Sequence, residues 1–448
     1  MKKPIWIRIY DGLEFELTQA REEKRLVTPE LEKELQETVN MADGPQKAAK
    51  AAELFERVQM LDYEGGKCVE LDALEEIQTL APGNAPLDKA DKGEFFDHVY
   101  GAWLGRAAGC LLGKPVECWR TPELHRYLKA TDNYPITRYL TRNVPDELKE
   151  ELSKSCFMQS AFHEGRTFIE DVKCMPEDDD TNYTLIGLKL LEENGRDFTP
   201  EDVGDCWLRN LPIFHVCTAE RIAYRNLVMC IEPPKSASYC NGYREWIGAQ
   251  IRADIYGYVN PAKPREASAM AWRDASISHV KNGIYGEMWV AAMLAAAFTT
   301  KDIETIIRIG LNEIPSESRL AKGVEKVISW WKEGVDWEEA QRRIHAEWDE
   351  NSQHDWCHTV SNAQIVAAAL LLGGGDFGKS LGIAVTVGFD TDCNGATVGS
   401  VLGLALRAKA LPEKWTAPLN DQLASGVDGF GLVHLSEMAK RTVALIEK

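Results

Sequence analysis

The sequence predicts an all-α protein, in which a compact multi-helix domain follows an N-terminal accessory lobe. From Phe95 onward the chain carries long helical patterns rich in alanine and glycine, and the apolar–polar alternation of half-buried strands is rare. Glycines recur at every fourth position in two of these helices. Before Phe95, residues 82–92 are rich in proline, glycine, asparagine and aspartate, which predicts a linker between the lobe and the domain.

Eight segments of the larger domain have patterns typical of helices. They cover residues 100–112, 183–193, 267–278, 287–298, 302–311, 363–372, 396–410 and 436–447. Residues 118–176 are mixed and polar, which predicts an insertion over the helical core. We therefore expect an accessory lobe over residues 1–92 and the helical domain over residues 93–448. Within the lobe, residues 4–10 suit one short strand and residues 29–60 suit helix.

The regularly spaced glycines form two rows, each on one face of a helix. The rows are Gly101, Gly105, Gly109 and Gly113, and Gly395, Gly399 and Gly403. Because glycine costs about 1 kcal/mol per helical position relative to alanine, such a row indicates that another backbone approaches that face closely. The segments are too short and too interrupted to be membrane helices, so the rows predict a tightly packed core in a soluble domain.

Charge and cysteine content narrow the classes of partner and the compartment. The 51 basic and 70 acidic residues give a formal net charge of -19, and such a surface repels nucleic acid and anionic membranes, so we expect neither as a partner. Eleven cysteines without a C-x-x-C pair indicate thiols in a reducing compartment. The first ten residues are too short an apolar run for a signal peptide, and a cytoplasmic location is expected. The oligomeric state stays open.

The first candidate site is a run of acidic residues, Glu177 to Asp180, before an amphipathic helix. One or two acids at a helix start are explained by capping and by the helix dipole. Four adjacent acids repel one another, and a bound cation would relieve this repulsion. Asp178, Asp179 and Asp180 are therefore candidate metal ligands.

The second candidate site is the D-T-D sequence at Asp390 and Asp392, between an apolar run and a glycine-rich helix. A buried carboxylate needs a cationic partner or a metal, and no arginine or lysine lies between Lys379 and Arg407. An exposed loop that caps the helix is the alternative. Donors that are all oxygen favour a hard divalent cation, Mg²⁺ first and Mn²⁺ or Ca²⁺ next, with one or two ions bound.

A third segment, residues 109–117, reads G-C-L-L-G-K-P-V-E and ends in a single acid, Glu117. Together the three segments resemble the motifs of the ADP-ribosylglycohydrolase family, of the dinitrogenase-reductase-activating glycohydrolase type. That pattern is G-D-A-L-G-x-P-x-E, then T-D-D-T, then D-T-D-T. This chain has GCLLGKPVE, DDDT and DTDC in the same order. The resemblance covers residue 95 to the C-terminus and implies an all-α, ADP-ribosylglycohydrolase-like fold.

The resemblance also implies an activity and roles for single residues. It implies a metal-dependent hydrolase that cleaves an N- or O-glycosidic bond at a ribosyl group, with a small-molecule glycoside or an ADP-ribosylated substrate. Glu117 matches the acid that faces the metals and the scissile bond. The aspartates that match metal ligands are Asp179, Asp180, Asp390 and Asp392. The chain departs from the family at Asp178 and Cys393, which replace ligating threonines, and at Cys110, which replaces an aspartate.

Two readings from other classes compete with this one. Residues 373–380, G-G-G-D-F-G-K-S, fit the P-loop pattern, but a P-loop needs a preceding strand and a parallel sheet. Because residues 362–372 have helical character, we predict a helix–turn–helix connection there, with glycine at the helix end. The second alternative is a non-catalytic metal-binding or structural member of the same fold, since fold alone does not establish activity.

The sequence H-D-W-C-H, with His354, Cys357 and His358, offers donors for zinc. No second pair of ligands at a matching spacing accompanies it. We therefore favour packing or a place in the substrate-binding surface over zinc binding for these residues.

Overall fold

The all-α prediction is confirmed by the computed structural model, which describes residues 5–66, 68–155, 162 and 167–447. The helices are α1 (Leu13–Glu22), α2 (Pro29–Val39), α3 (Pro45–Gln59), α4 (Leu74–Leu80), α5 (Phe95–Gly113), α6 (Thr121–Ala130), α7 (Asp146–Ser155), α8 (Asp179–Asn194), α9 (Pro200–Asn210), α10 (Thr218–Val228), α11 (Lys235–Ser238), α12 (Asp254–Tyr258), α13 (Pro264–Ala275), α14 (Asn282–Ala297), α15 (Ile303–Leu311), α16 (Arg319–Lys332), α17 (Trp337–Glu347), α18 (Gln353–Cys357), α19 (Thr359–Gly373), α20 (Phe377–Thr386), α21 (Thr391–Leu406), α22 (Glu413–Thr416) and α23 (Leu435–Ile446). Each of the eight predicted segments coincides with a helix, with its ends shifted by a few residues. The strands β1 (Gln422–Ala424) and β2 (Leu432–His434) form one antiparallel hairpin.

The centre of the domain is built from helices that are buried on every side. Every residue of α14 is buried, and nearly every residue of α19 and α21 is buried as well. A helix that is apolar all round lies inside a protein or a membrane, and none of the helices in the described ranges is long and apolar enough to cross a membrane. These helices form one continuous apolar core with α5.

The two glycine rows pack against each other, as the sequence predicts. The facing pairs along α5 and α21 are Gly101–Gly403, Gly105–Gly399, Gly109–Gly395 and Gly113–Thr391. A methyl group added to Gly105 would overlap the carbonyl of Gly399, and the other three pairs are equally close. The contact therefore joins backbone to backbone, and it brings the end of α5 next to the start of α21.

The N-terminal segment has a small apolar core of its own. Leu17, Leu35, Leu54 and Phe55 from α1, α2 and α3 form a cluster that is separate from the main core. In contrast, Ile77 of α4 packs into the main core. The boundary near residue 92 stays a prediction, as does the insertion over residues 118–176, part of which (residues 156–161 and 163–166) lies outside the described residues.

The short strand predicted over residues 4–10 is wrong for residues 5–10, which form turns; residue 4 lies outside the described residues. The carboxylate of Asp11 accepts hydrogen bonds from the backbone N–H groups of Ile7 and Arg8, both at 2.9 Å. A side chain that holds two successive backbone donors bends the chain and competes with strand pairing.

The glycine-rich segment at residues 373–380 is a connection between helices, as predicted. Gly374 ends α19 in the left-handed region, with φ of 66°, a position that glycine adopts without steric cost. Asp376 then caps α20 by accepting from the backbone N–H of Lys379 at 2.7 Å. The P-loop alternative is therefore excluded, because helices and not a strand precede and follow the turn.

Helix α1 is held to the helical domain by buried ion pairs. Arg244 contacts Glu16 at 2.6 Å and Glu23 at 3.0 Å, and Lys281 also contacts Glu23. All four side chains are buried. Burial alone would raise the pKa of Glu23, but the charges of Arg244 and Lys281 hold that pKa well below its ordinary value.

We expect Glu23→Gln to lower the free energy of unfolding by about 3 kcal/mol at pH 7, because it leaves buried cations without their acid. Since the pKa of Glu23 is lowered in the folded state, its stabilisation is present above the unfolded-state pKa of about 4.3 and is lost as the pH falls below it. Urea unfolding of both proteins between pH 3 and pH 7 measures this, with Glu30→Gln on the exposed face of α2 as the control. An equal difference at every pH would contradict the assignment.

Candidate active site

Three chain segments meet where α5 ends and where α8 and α21 begin. The last residue of α5, Gly113, is followed by a single 3-10 turn (Lys114–Val116) that leads to Glu117. The Thr391 hydroxyl of α21 donates to the carbonyl of Gly113 at 2.9 Å. The close packing of α5 on α21 therefore fixes the Glu117 turn beside the D-T-D segment.

The first acid segment is an N-terminal cap, which explains Asp178. Its Oδ1 accepts from the backbone N–H of Asp180 at 3.0 Å, and its Oδ2 contacts the ammonium of Lys114. Asp180 is fully buried and accepts from Arg106 at 3.2 Å, and Arg106 also contacts Asp254 at 2.6 Å. Two of the three acids here thus have a cationic side chain as a partner.

The second acid segment is not an exposed cap. Asp390 stands at the N-cap position of α21, yet its side chain makes no capping hydrogen bond. Only 6% of Asp390 and 3% of Asp392 is exposed, and Oδ1 of Asp392 is buried without a hydrogen-bond partner. Within the described ranges, no ion pair involves either carboxylate. A buried carboxylate oxygen in this state calls for a proton or a cation.

The predicted ligands come together in two overlapping groups, in each of which the possible ligand atoms lie within 4.8 Å of one another. One group is Cys110, Asp178, Asp180 and Asp392, and the other is Asp390, Asp392 and Cys393. Asp392 belongs to both groups. Asp179 is half-buried beside them and belongs to neither. These groups could hold a metal ion.

The charges of the site act on one another. Burial, followed by the charge of Glu117, raises the pKa of Asp390 to about 8. The same two causes, in the same order, raise the pKa of Asp392 well above its ordinary value. Burial and the charge of Asp178 raise the pKa of Asp179. Glu117 therefore faces the carboxylates of both acid segments, and the cluster holds more negative charge than Lys114 and Arg106 balance.

The residues present fit a divalent cation. The unpartnered oxygen of Asp392 supplies a buried donor, and the carboxylates around it are donors that Mg²⁺, Mn²⁺ and Ca²⁺ accept. Two thiols also lie at the site, and Cys393 donates to Oδ2 of Asp180 at 3.2 Å. The donor set is thus not all oxygen, which the sequence prediction of the ion assumed.

The backbone on both sides of the site is held in an uncommon conformation. Cys118, next to Glu117, has φ of 67°, and Phe389, before Asp390, has φ of 59°. Such angles are uncommon for residues with side chains, and they cost free energy that the surroundings must offset. For Phe389 the surroundings are visible: its ring is fully buried and packs edge-on against His345 at 4.9 Å.

The H-D-W-C-H segment forms a hydrogen-bonded clasp with α1. His354 and His358 each direct Nε2 at the Glu22 carboxylate, at 3.2 Å. The Nδ1 atoms accept from Nε1–H of Trp246 at 3.2 Å and from the backbone N–H of Val360 at 3.1 Å. Because Nδ1 accepts in both rings, Nε2 carries the proton, whereas a metal would need the opposite tautomer. Packing is therefore favoured over zinc here as well.

Comparison with known proteins identifies the family. A family model described as ADP-ribosylglycohydrolase matches residues 91–447. The chain belongs to the ADP-ribosylglycohydrolase family. One solved structure, titled "ADP-ribosylglycohydrolase-related protein complex", is similar at 19% identity and a TM-score of 0.44, and the match covers 79% of this chain and 99% of that chain. No curated protein matched in a sequence comparison.

This ADP-ribosylglycohydrolase carries site residues that the sequence prediction missed. Lys114 and Arg106 contact the acids directly, and Asn362 accepts from the backbone N–H of Asp390 at 3.3 Å. Arg106 left a signal, since it is a charged residue inside an otherwise apolar helix rich in glycine. Asn362 left none, because its partner lies 28 positions away.

Proposed function

We propose that this ADP-ribosylglycohydrolase is a metal-dependent hydrolase that cleaves an N- or O-glycosidic bond at a ribosyl group. The observation that carries the proposal is the convergence of Glu117, Asp390 and Asp392 around a buried, unpartnered carboxylate oxygen. Glycoside cleavage passes through an oxocarbenium-like state, which needs an acid or a base near the leaving atom and an activated water. Family membership and the site geometry both support this class of reaction.

In this proposal the carboxylates have two different tasks. Asp178, Asp180, Asp390 and Asp392 hold the cation, and Asp179 lies beside them. When bound, a divalent ion would supply positive charge that polarises the sugar hydroxyls and the attacking water. Glu117 lies at the end of a turn and not within a group of donors. Its carboxylate can take a proton from the water or return one to the leaving atom.

The substrate is proposed at the level of its glycosidic bond. Candidates are an ADP-ribosyl group on a protein side chain, as the dinitrogenase-reductase-activating type would take, and a smaller ribosyl or glycosyl compound. Mg²⁺ is the ion that the carboxylates favour, with Mn²⁺ or Ca²⁺ as alternatives.

A non-catalytic member of the same family is the second candidate, and one observation favours it. Cys110 and Cys393 lie among the possible ligands, where the family motif has an aspartate and a threonine. Metal binding without turnover of any riboside, including ADP-ribosyl-arginine and simple nucleosides, would support this candidate over the enzyme.

We expect the protein to melt at a higher temperature with a divalent cation than with EDTA. An ion that binds only the folded state stabilises it by about 2.7 kcal/mol at a hundred times its Kd. Thermal melting in EDTA, Mg²⁺, Mn²⁺ and Ca²⁺ measures this shift. An unchanged midpoint with all three ions, at millimolar concentration, would speak against a cation site.

A further inference from the structure

Lys114 occupies an unusual place for a lysine. It follows Gly113 directly, the last glycine of the α5 row, and its ammonium lies against Oδ2 of Asp178. Its side chain is 18% exposed and that of Asp178 is 2% exposed. The ammonium is therefore a positive charge inside the acid cluster and not a charge on the surface.

The two donor groups differ in their cations. In the group of Asp178 and Asp180, Lys114 contacts the first carboxylate and Arg106 contacts the second at 3.2 Å. In the group of Asp390 and Asp392, neither carboxylate takes part in an ion pair among the described residues. The first group thus already has a cation at each aspartate, whereas the second has two acids to be neutralised.

The second group also contains the observation that points to a ligand. Oδ1 of Asp392 is buried and has no hydrogen-bond partner, and only 3% of this residue is exposed. Two carboxylates match the charge of one divalent ion. An ion shared by Asp390 and Asp392 would balance that group, whereas a second ion at Asp178 would have to displace the ammonium.

We infer that the site binds a single divalent ion, on Asp390 and Asp392, and that the ammonium of Lys114 takes the second cation position at Asp178. This inference rests on the proposed function and adds to it the number of ions and the role of Lys114. Lysine is a compact point charge that orients carboxylates without a coordination geometry of its own. The lysine would keep Asp178 ionised and in place as the cap of α8.

The inference makes Lys114 the residue that sets the number of bound ions. Lys114→Gln removes the charge and keeps a side chain of similar length that can still donate a hydrogen bond. It should open the Asp178 position to a second ion. Lys114→Arg keeps the charge, so we expect it to bind one ion like the natural protein. Lys173→Gln, an exposed lysine before the acid segment, is the matched surface control.

The experiment is a titration of the full chain with Mn²⁺, followed by calorimetry and electron paramagnetic resonance. We expect one ion per chain and the spectrum of an isolated ion for the natural protein, Lys114→Arg and Lys173→Gln. For Lys114→Gln we expect two ions per chain and the signature of a coupled pair. The second ion should bind at least about tenfold more tightly than any second ion in the natural protein.

Two ions per chain in the natural protein would overturn the inference and leave the proposed function standing. One ion in both the natural protein and a folded Lys114→Gln would overturn the role of Lys114. No bound ion in any variant would overturn both the inference and the proposed function. Should Lys114→Gln fail to fold, as judged by circular dichroism, the stoichiometry of the natural protein and of Lys114→Arg still decides the number of ions.

Discussion

Glu117→Gln should slow glycoside hydrolysis by about 10² or more, the usual loss when a general acid or base is removed, while the affinity for the metal stays nearly unchanged. Glu117 ends a turn beside the cluster and belongs to neither group of possible ligands. Glutamine keeps its shape and its hydrogen bonding but cannot exchange a proton. Turnover on a panel of ribosides, measured beside a calorimetric metal titration, tests both halves of this expectation.

Asp392→Asn gives the contrasting result. Asp392 belongs to both groups of possible ligands, so we expect the variant to bind metal more weakly and to lose activity as a consequence. Excess metal should restore part of that activity. Glu413→Gln, on the exposed face of α22, is the surface control for both variants. Wild-type turnover by Glu117→Gln on every substrate that responds would remove Glu117 from the reaction and leave the family relationship to speak for the fold alone.

Gly105→Ala should destabilise the protein by about 3 kcal/mol or more, at the upper end of what an added methyl group costs in a packed core. The new methyl group would overlap the carbonyl of Gly399, and a backbone atom cannot turn aside as a side chain can. Alanine normally improves a helix by about 1 kcal/mol, so a net loss measures the close approach of the two backbones. Urea unfolding followed by circular dichroism measures it.

Gly204→Ala in α9 is the matched control. It lies within a helix as Gly105 does, but the nearest neighbour of a methyl group there is the end of the flexible Leu227 side chain, at 3.2 Å. We expect this variant to be as stable as the natural protein or slightly more stable. If both alanine variants unfold at the same urea concentration, then α5 and α21 are not in the close contact described above.

The fold could be predicted where the sequence pattern reports on burial. The glycine rows predicted the contact of α5 with α21, because glycine at every fourth position has few explanations other than a neighbouring backbone. The segment at residues 5–10 misled because its apolar residues suit a strand, whereas its conformation follows from one side chain, that of Asp11. Capping by a single carboxylate does not show in a hydrophobic pattern.

The site could be predicted only in part, for a related reason. The acids that the sequence singled out do converge, since Asp178, Asp180, Asp390 and Asp392 share two overlapping groups. The partners of these acids depend on distant contacts that no spacing reveals. Lys114 stands 64 positions from Asp178, and Glu22, which holds His354, stands 332 positions from it.

The glycine contact between α5 and α21 also decides where the active site can move. Two helices that touch through their backbones cannot slide or separate without breaking the contact along its whole length, so Glu117 and the D-T-D segment form one rigid half of the site. Helix α8 brings Asp178 to Asp180 to this half through side-chain contacts, such as those of Lys114 and Arg106, and side chains change rotamer readily. Opening and closing around a bulky substrate therefore belongs to the α8 side, and its hinge lies in the chain that leads into Asp178.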